Sequence, residues 1–191
     1  MVKAVIVDCF GVIVGKGFEN TFALAGGNPK QDKSFIETML QKSNLGLITE
    51  QNFNSVMAKH LGQTKQQWQN KLSSVETANT DLLNYILSLR KDYKTALLSN
   101  SNKGVLESKI GQAWLDKCFD EVVCSAEVGL VKPDPKIYRL TAARLGLQPN
   151  ECVFVDDHQS FVDAAEQIGM HGIVYEGLDQ LKQSLSCAIN R

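Results

Sequence analysis

The chain begins with Val2-Lys3-Ala4-Val5-Ile6-Val7, a nearly unbroken apolar run that ends on a single carboxylate, Asp8, ahead of Cys9-Phe10-Gly11-Val12. A strand with one wet face alternates apolar and polar residues. A run without alternation suits a strand covered on both faces, as in a parallel sheet between helices. In such sheets ligands bind outside the carboxyl ends of the strands. Asp8 therefore stands where chemistry is expected, and Phe10, two residues on, matters because it is not a second acid.

The periodicity then turns helical. Ser34 with Glu37 reads as a capping box ahead of Phe35, Ile36, Met39 and Leu40, and Thr49 opens a second helix carrying Phe53, Val56, Met57 and Leu61. Trp68 and Leu72 mark another. Residues 16–77 thus read as a small all-helical insertion, with Met and aromatic stripes for its core, between two parts of an α/β domain at 1–15 and 78–191. A helix through Leu82, Leu83, Ile86 and Leu89 leads into Thr95-Ala96-Leu97-Leu98, which stops at Ser99-Asn100-Ser101. Glu121-Val122-Val123-Cys124 precedes the loop Gly129-Leu130-Val131-Lys132-Pro133-Asp134-Pro135, where Asp134 caps a helix that Pro135 begins. Cys152-Val153-Phe154-Val155 stops at Asp156-Asp157-His158, and His171-Gly172-Ile173-Val174-Tyr175 is the last strand. Repeated strand-helix alternation implies a Rossmann-like, doubly wound parallel sheet.

Composition narrows the possible partners. Lys+Arg 20 against Asp+Glu 21 leaves a net charge of −1, so there is no broad field for nucleic acid or an anionic membrane, and any anion must be met by local groups. No apolar stretch is long enough to span a bilayer, and the N-terminus lacks a signal-peptide cleavage pattern. The cysteines form no CxxC pair, and Cys9, Cys124 and Cys152 lie in or beside strands, as expected of reduced, buried thiols in a cytoplasmic protein. Cys9 reads as a small core hydrophobe rather than a nucleophile. No pattern sets the oligomeric state.

Each polar strand end, taken singly, is what a helix cap looks like. Taken together, parallel strands bring Asp8, Ser99, Lys132 and Asp156 to one edge of one sheet. A carboxylate that can attack, donors at Ser99 and Asn100, an ammonium at Lys132 and a second carboxylate for a metal are the parts of a site that binds and transfers a phosphoryl group. Asp8 can approach a phosphate dianion only if the phosphate oxygens are neutralised. Lys132 supplies a charge, Ser99 and loop N–H groups at Gly11 supply donors, and a hard cation such as Mg²⁺ can bridge phosphate to Asp8 and Asp156. Asp157 adds like charge, a repulsion that a metal cation or a lysine among the acids would relieve, which favours the metal reading.

The succession Asp8-Cys9-Phe10-Gly11-Val12, Leu98-Ser99-Asn100, Gly129 to Pro135 and Val155-Asp156-Asp157 resembles the motifs of the haloacid dehalogenase-like hydrolase superfamily. The resemblance covers the α/β part, and the insertion looks like the helical cap of the type-one members. It implies a Mg²⁺-dependent phosphatase acting on a small phosphorylated metabolite such as a sugar phosphate. Asp8 would be the nucleophile and pass through an aspartyl-phosphate. Lys132 would assist it, and Asp8, the Phe10 carbonyl, Asp156 and Asp157 would surround the metal.

Two positions depart from the phosphatase pattern. Those enzymes usually carry a second Asp where Phe10 stands, which protonates the leaving group and then activates water; its absence costs on the order of 10²–10⁴ in rate unless replaced. Phe161 stands where the last motif often has an amide. His158 is a candidate proton carrier, set against the plain reading of a surface histidine in a helix-opening loop. An aromatic residue at Phe10 is also what the haloacid dehalogenases of the superfamily show; those attack carbon without a metal and lack the acid pair. A third reading is a protein that keeps the fold and binds a phosphorylated ligand without turnover.

Overall fold

The computed structural model describes residues 1–15, 18–102 and 104–189. Five parallel strands, β1 (Ala4–Val7), β2 (Lys94–Ser99), β3 (Glu121–Cys124), β4 (Cys152–Asp156) and β5 (His171–Val174), lie in the order β3-β2-β1-β4-β5. Strand order reverses at β1, and that reversal opens a crevice at the carboxyl edge of an α/β sheet. The register sets Val7 level with Leu97 on one side and Val155 on the other, so Asp8 emerges beside the ends of β2 and β4.

Between β1 and the helix before β2 come α1 (Phe18–Leu24), α2 (Lys33–Asn44), α3 (Glu50–His60) and α4 (Lys65–Val75), then α5 (Thr80–Leu89). After β2 follow α6 (Val105–Ile110) and α7 (Gln112–Cys118). After β3 follow α8 (Ser125–Val128) and α9 (Pro135–Arg144), and α10 (Gln159–Glu166) and α11 (Leu178–Ile189) flank β5. The alternating side chains of β1 show why the strand is apolar throughout. Val5 and Val7 pack with Leu82 and Ile86 of α5, Leu115 of α7 and Leu181 and Leu185 of α11. Ala4 and Ile6 pack with Ile137 and Tyr138 of α9 and Ala165 of α10. Both faces are covered, which is the doubly wound arrangement.

Helices α1 to α4 gather around a separate apolar cluster built on Phe22, Met57 and Trp68, all fully buried. The chain leaves and returns at one place: Val14 bridges Ala78, and the Asn79 N–H donates to the Ile13 carbonyl at 2.8 Å. The expected insertion boundary at residue 16 falls on Lys16, which lies outside the described residues, as does the chain end at 191. Among the described residues, no helix is long and apolar enough to cross a membrane.

Two local expectations need correction. Ser34 is not a cap: α2 starts at Lys33, and the Ser34 carbonyl accepts the Thr38 hydroxyl inside the helix. The capping box lies instead at Thr64 and Gln67, ahead of α4. Val56 is exposed, although it was expected on the apolar stripe of α3. The buried face of α3 is Phe53, Asn54, Met57 and Ala58, so a polar residue stands where the stripe continues.

Candidate active site

The predicted residues converge on one buried ionic cluster. Asp8 follows β1 directly, and its N–H donates to the Val155 carbonyl at 2.9 Å, holding it against β4. The Lys132 ammonium donates to Asp8 Oδ1 at 2.7 Å and to Asp156 Oδ2 at 2.6 Å, and it lies over the Phe161 ring, 5.1 Å from the centroid. Asp156 Oδ1 accepts the His158 N–H at 2.9 Å, which also turns the chain into α10.

Burial, reinforced by the charge of Asp156, pushes the Asp8 carboxyl up to about 7 against the opposing pull of Lys132. Burial pulls the Lys132 ammonium down, but the two carboxylates outweigh it and hold the group above its ordinary value. Lys132 therefore stays charged. An isolated ion at this depth would lose its charge; one ammonium shared by two acids keeps it.

The neighbours of this cluster divide into groups that face the cavity and groups that hold others in place. Asn100, expected among the phosphate donors, has both ends of its side-chain amide engaged with the Lys132 main chain. Its Oδ1 accepts the Lys132 N–H at 2.8 Å and its Nδ2 donates to the Lys132 carbonyl at 2.9 Å. That two-point bond fixes where the Lys132 side chain departs, so Asn100 acts by positioning the lysine. Gly11, expected to offer its N–H, donates it to the Val14 carbonyl at 2.6 Å. Its φ of +90° suits glycine, and a Cβ there would stand 2.3 Å from Asp157 Oδ2. Gly11 thus makes room for the acid. Ser99 differs from both, for its hydroxyl is buried on the cavity wall and has no hydrogen-bond partner among the described residues. A buried hydroxyl with no partner is costly, and a ligand oxygen would satisfy it.

Asp8, Asp156 and Asp157 each bring a carboxylate oxygen within 4.8 Å of the others. All the donors are hard oxygens, and three acids face one ammonium, which is the donor chemistry and the charge excess that suit Mg²⁺.

A cavity of about 550 Å³ opens above the cluster, between the strand ends and the helical lobe. The strand ends contribute Asp8, Phe10, Ser99, Lys132, Asp157 and His158. The lobe contributes Glu50, Phe53 and Asn54 of α3, among others. Phe10 sits on this wall and bridges to Val14. The exposed His158 ring leans on Phe161, 5.1 Å between centroids, so both positions flagged after β4 belong to the cavity.

Sequence reasoning missed the residues from the lobe. It also missed the buried ion pair of Lys109 with Glu76, which lines the same cavity. A polar Asn54 inside the apolar stripe of α3 was the available signal for the lobe.

Known proteins resemble this chain in sequence and in fold. The chain is 27% identical to D-ribitol-5-phosphate phosphatase from Bacteroides thetaiotaomicron over the full length of both. It is 32% identical to (S)-2-haloacid dehalogenase 4A from Burkholderia cepacia over 42% of this chain and 35% of that protein. Its fold superposes with a TM-score of 0.77 and 22% identity on a haloacid dehalogenase-family enzyme from Bacteroides thetaiotaomicron solved with magnesium and inorganic phosphate, covering 95% of this chain and 99% of that one. The profile of the haloacid dehalogenase-like hydrolases matches residues 2–169, which hold every element but β5 and α11, and the chain belongs to that family.

Proposed function

We propose that the protein is a magnesium-dependent phosphatase of a small phosphorylated metabolite and that Asp8 is its nucleophile. The observation that carries the reading is the Ser99 hydroxyl, which has no hydrogen-bond partner among the described residues and belongs to the same cavity wall as the Asp8–Lys132 pair. The full-length similarity to a sugar-alcohol phosphate phosphatase and the magnesium and phosphate in the superposed enzyme support it.

The chemistry follows from charge. An Asp8 oxygen attacks phosphorus, the bond to the ester oxygen breaks, and that oxygen leaves with a proton; water then attacks phosphorus, frees Asp8 and yields inorganic phosphate. Lys132 and the Ser99 hydroxyl draw charge from the phosphoryl oxygens. Asp8, the Phe10 carbonyl, Asp156 and Asp157 would hold Mg²⁺, whose charge lets an anion approach a carboxylate. Phe10 brings no proton. His158, on the cavity wall, carries an imidazole, a side chain that can both donate and accept a proton. The helical lobe serves as the cap that closes over the substrate.

Hydrolysis of a pentitol monophosphate, a sugar 1-phosphate, an acyl phosphate and a 2-haloacid, each with magnesium and with chelator, tests this. Turnover of a phosphate with magnesium, lost in chelator and in Asp8→Asn, is expected. The dehalogenase reading draws on the aromatic Phe10 and on partial similarity to a haloacid dehalogenase. Turnover of the haloacid alone, unaffected by chelator, would establish it in place of the phosphatase.

A further inference from the structure

Asn54 is 3% exposed, yet it lines the cavity from the lobe side. Its Oδ1 accepts the Trp68 indole N–H at 2.9 Å, and Trp68 is itself fully buried in the lobe's core. An indole nitrogen can only donate, so the amide has one permitted orientation: oxygen toward Trp68, amino group away. Among the described residues that amino group has no partner. One turn earlier on α3, the half-buried Glu50 also lines the cavity, and its carboxylate has no partner among the described residues. The lobe thus presents a fixed donor and a free anionic acceptor. Among the described residues it contributes no Lys or Arg to the cavity wall.

We infer that Asn54 is a specificity-determining residue and that the substrate is a phosphomonoester whose remaining part is uncharged and carries hydroxyl groups. This rests on the phosphatase reading for the position of the phosphate. A hydroxyl both accepts, as the Asn54 amino group requires, and donates, as the Glu50 carboxylate requires. A second phosphate or a carboxylate on the substrate would meet Glu50 as a like charge, so the cavity selects against doubly anionic substrates. The cavity volume lies in the range that encloses a small metabolite.

The test compares kcat/KM for a pentitol monophosphate with that for p-nitrophenyl phosphate, which has no hydroxyl to recognise. Asn54→Asp keeps the acceptor for Trp68 but replaces the donor that faces the cavity. The pentitol to p-nitrophenyl ratio should fall about three- to tenfold, the effect of one neutral hydrogen bond. Asn54→Leu should shift the ratio the same way and serves if the aspartate variant fails to fold. Trp68→Phe frees the amide to turn, so it should lower the same ratio and add little in combination with Asn54→Leu. In Glu50→Gln the preference for the monophosphate over the matching bisphosphate should narrow. An unchanged ratio in folded Asn54 variants overturns the inference while leaving the phosphatase reading intact. If the wild type turns over no phosphate ester, calorimetric binding of the pentitol phosphate against inorganic phosphate decides instead. A gain from the pentitol that Asn54→Leu removes supports the assignment of Asn54 without hydrolysis, and equal affinities overturn it.

Discussion

Replacing Lys132 with methionine tests the electrostatic logic of the site. Methionine roughly fills the lysine stem and keeps contact with the Phe154 and Phe161 rings, so the main loss is the ammonium between two carboxylates. The Lys132 side chain is 1% exposed, so water cannot replace it in the native packing. Removing one partner of a buried ion pair costs about 3–5 kcal/mol, and a domain of this size loses about 2–4 °C per kcal/mol, so in chelator the midpoint should drop by about 6–20 °C.

The pH dependence carries the sharper expectation. Asp8 is raised to about 7 in the native protein against an ordinary 3.8, so its folded form binds a proton more tightly than its unfolded form. Its contribution to stability is therefore complete below about 3.8 and is lost as pH climbs to about 7. Without Lys132 the Asp8 carboxyl rises further, so the variant keeps a proton where the wild type has released it. The stability gap between the two should be flat below pH about 7 and then widen by up to about 1.4 kcal/mol per pH unit. Urea unfolding of both proteins in chelator, from pH 5.5 to 8.5, measures this. A gap that stays constant or narrows above neutrality would refute the claim that Lys132 holds the Asp8 charge.

Gly11→Ala drives a methyl group into Asp157 at a positive φ, so it should cost about 1–3 kcal/mol and weaken magnesium binding together, seen as a lower midpoint and a weaker calorimetric affinity. Asn100→Leu releases the two bonds on the Lys132 main chain and should reduce kcat more than KM, because the lysine loses its placement rather than its charge. Phe10→Asp places a carboxylate beside Asp8 and should raise turnover of poor leaving groups more than of acyl phosphates, a contrast steady-state rates resolve. Iodoacetamide at pH 8 should label Cys187, which is exposed, and spare Cys9, whose thiol is held well above its ordinary value by burial and the nearby Asp8 charge; peptide mass mapping distinguishes them.

The α/β part was legible because its signals are local. An unbroken apolar strand, Pro135 behind a capping Asp134, and three strands ending on polar residues each follow from short-range preferences, and parallel pairing then places Asp8, Ser99, Lys132 and Asp156 together. The capping box was misread because Ser-x-x-Glu is a common spacing, and only packing decides whether a helix starts at it. Val56 was placed on the apolar stripe by its side chain alone. The face of α3 that packs on the lobe's core decided instead, and it holds Asn54, for which Trp68 supplies the partner that makes a buried amide tolerable.

From the sequence alone came the consequence of parallel pairing: which residue types meet at the carboxyl edge, and that Phe10 leaves Asp8 without an adjacent acid. The tertiary structure alone decided how those groups divide their work. Hydrogen-bond satisfaction depends on atoms distant along the chain, which no spacing encodes. Asn100 turned out to grip the lysine backbone across 32 positions, the Gly11 N–H closed its own turn, and the buried Ser99 hydroxyl was left without a partner among the described residues. The same holds for the far wall. Asn54 becomes a donor to the cavity only because Trp68, 14 residues on, takes its oxygen.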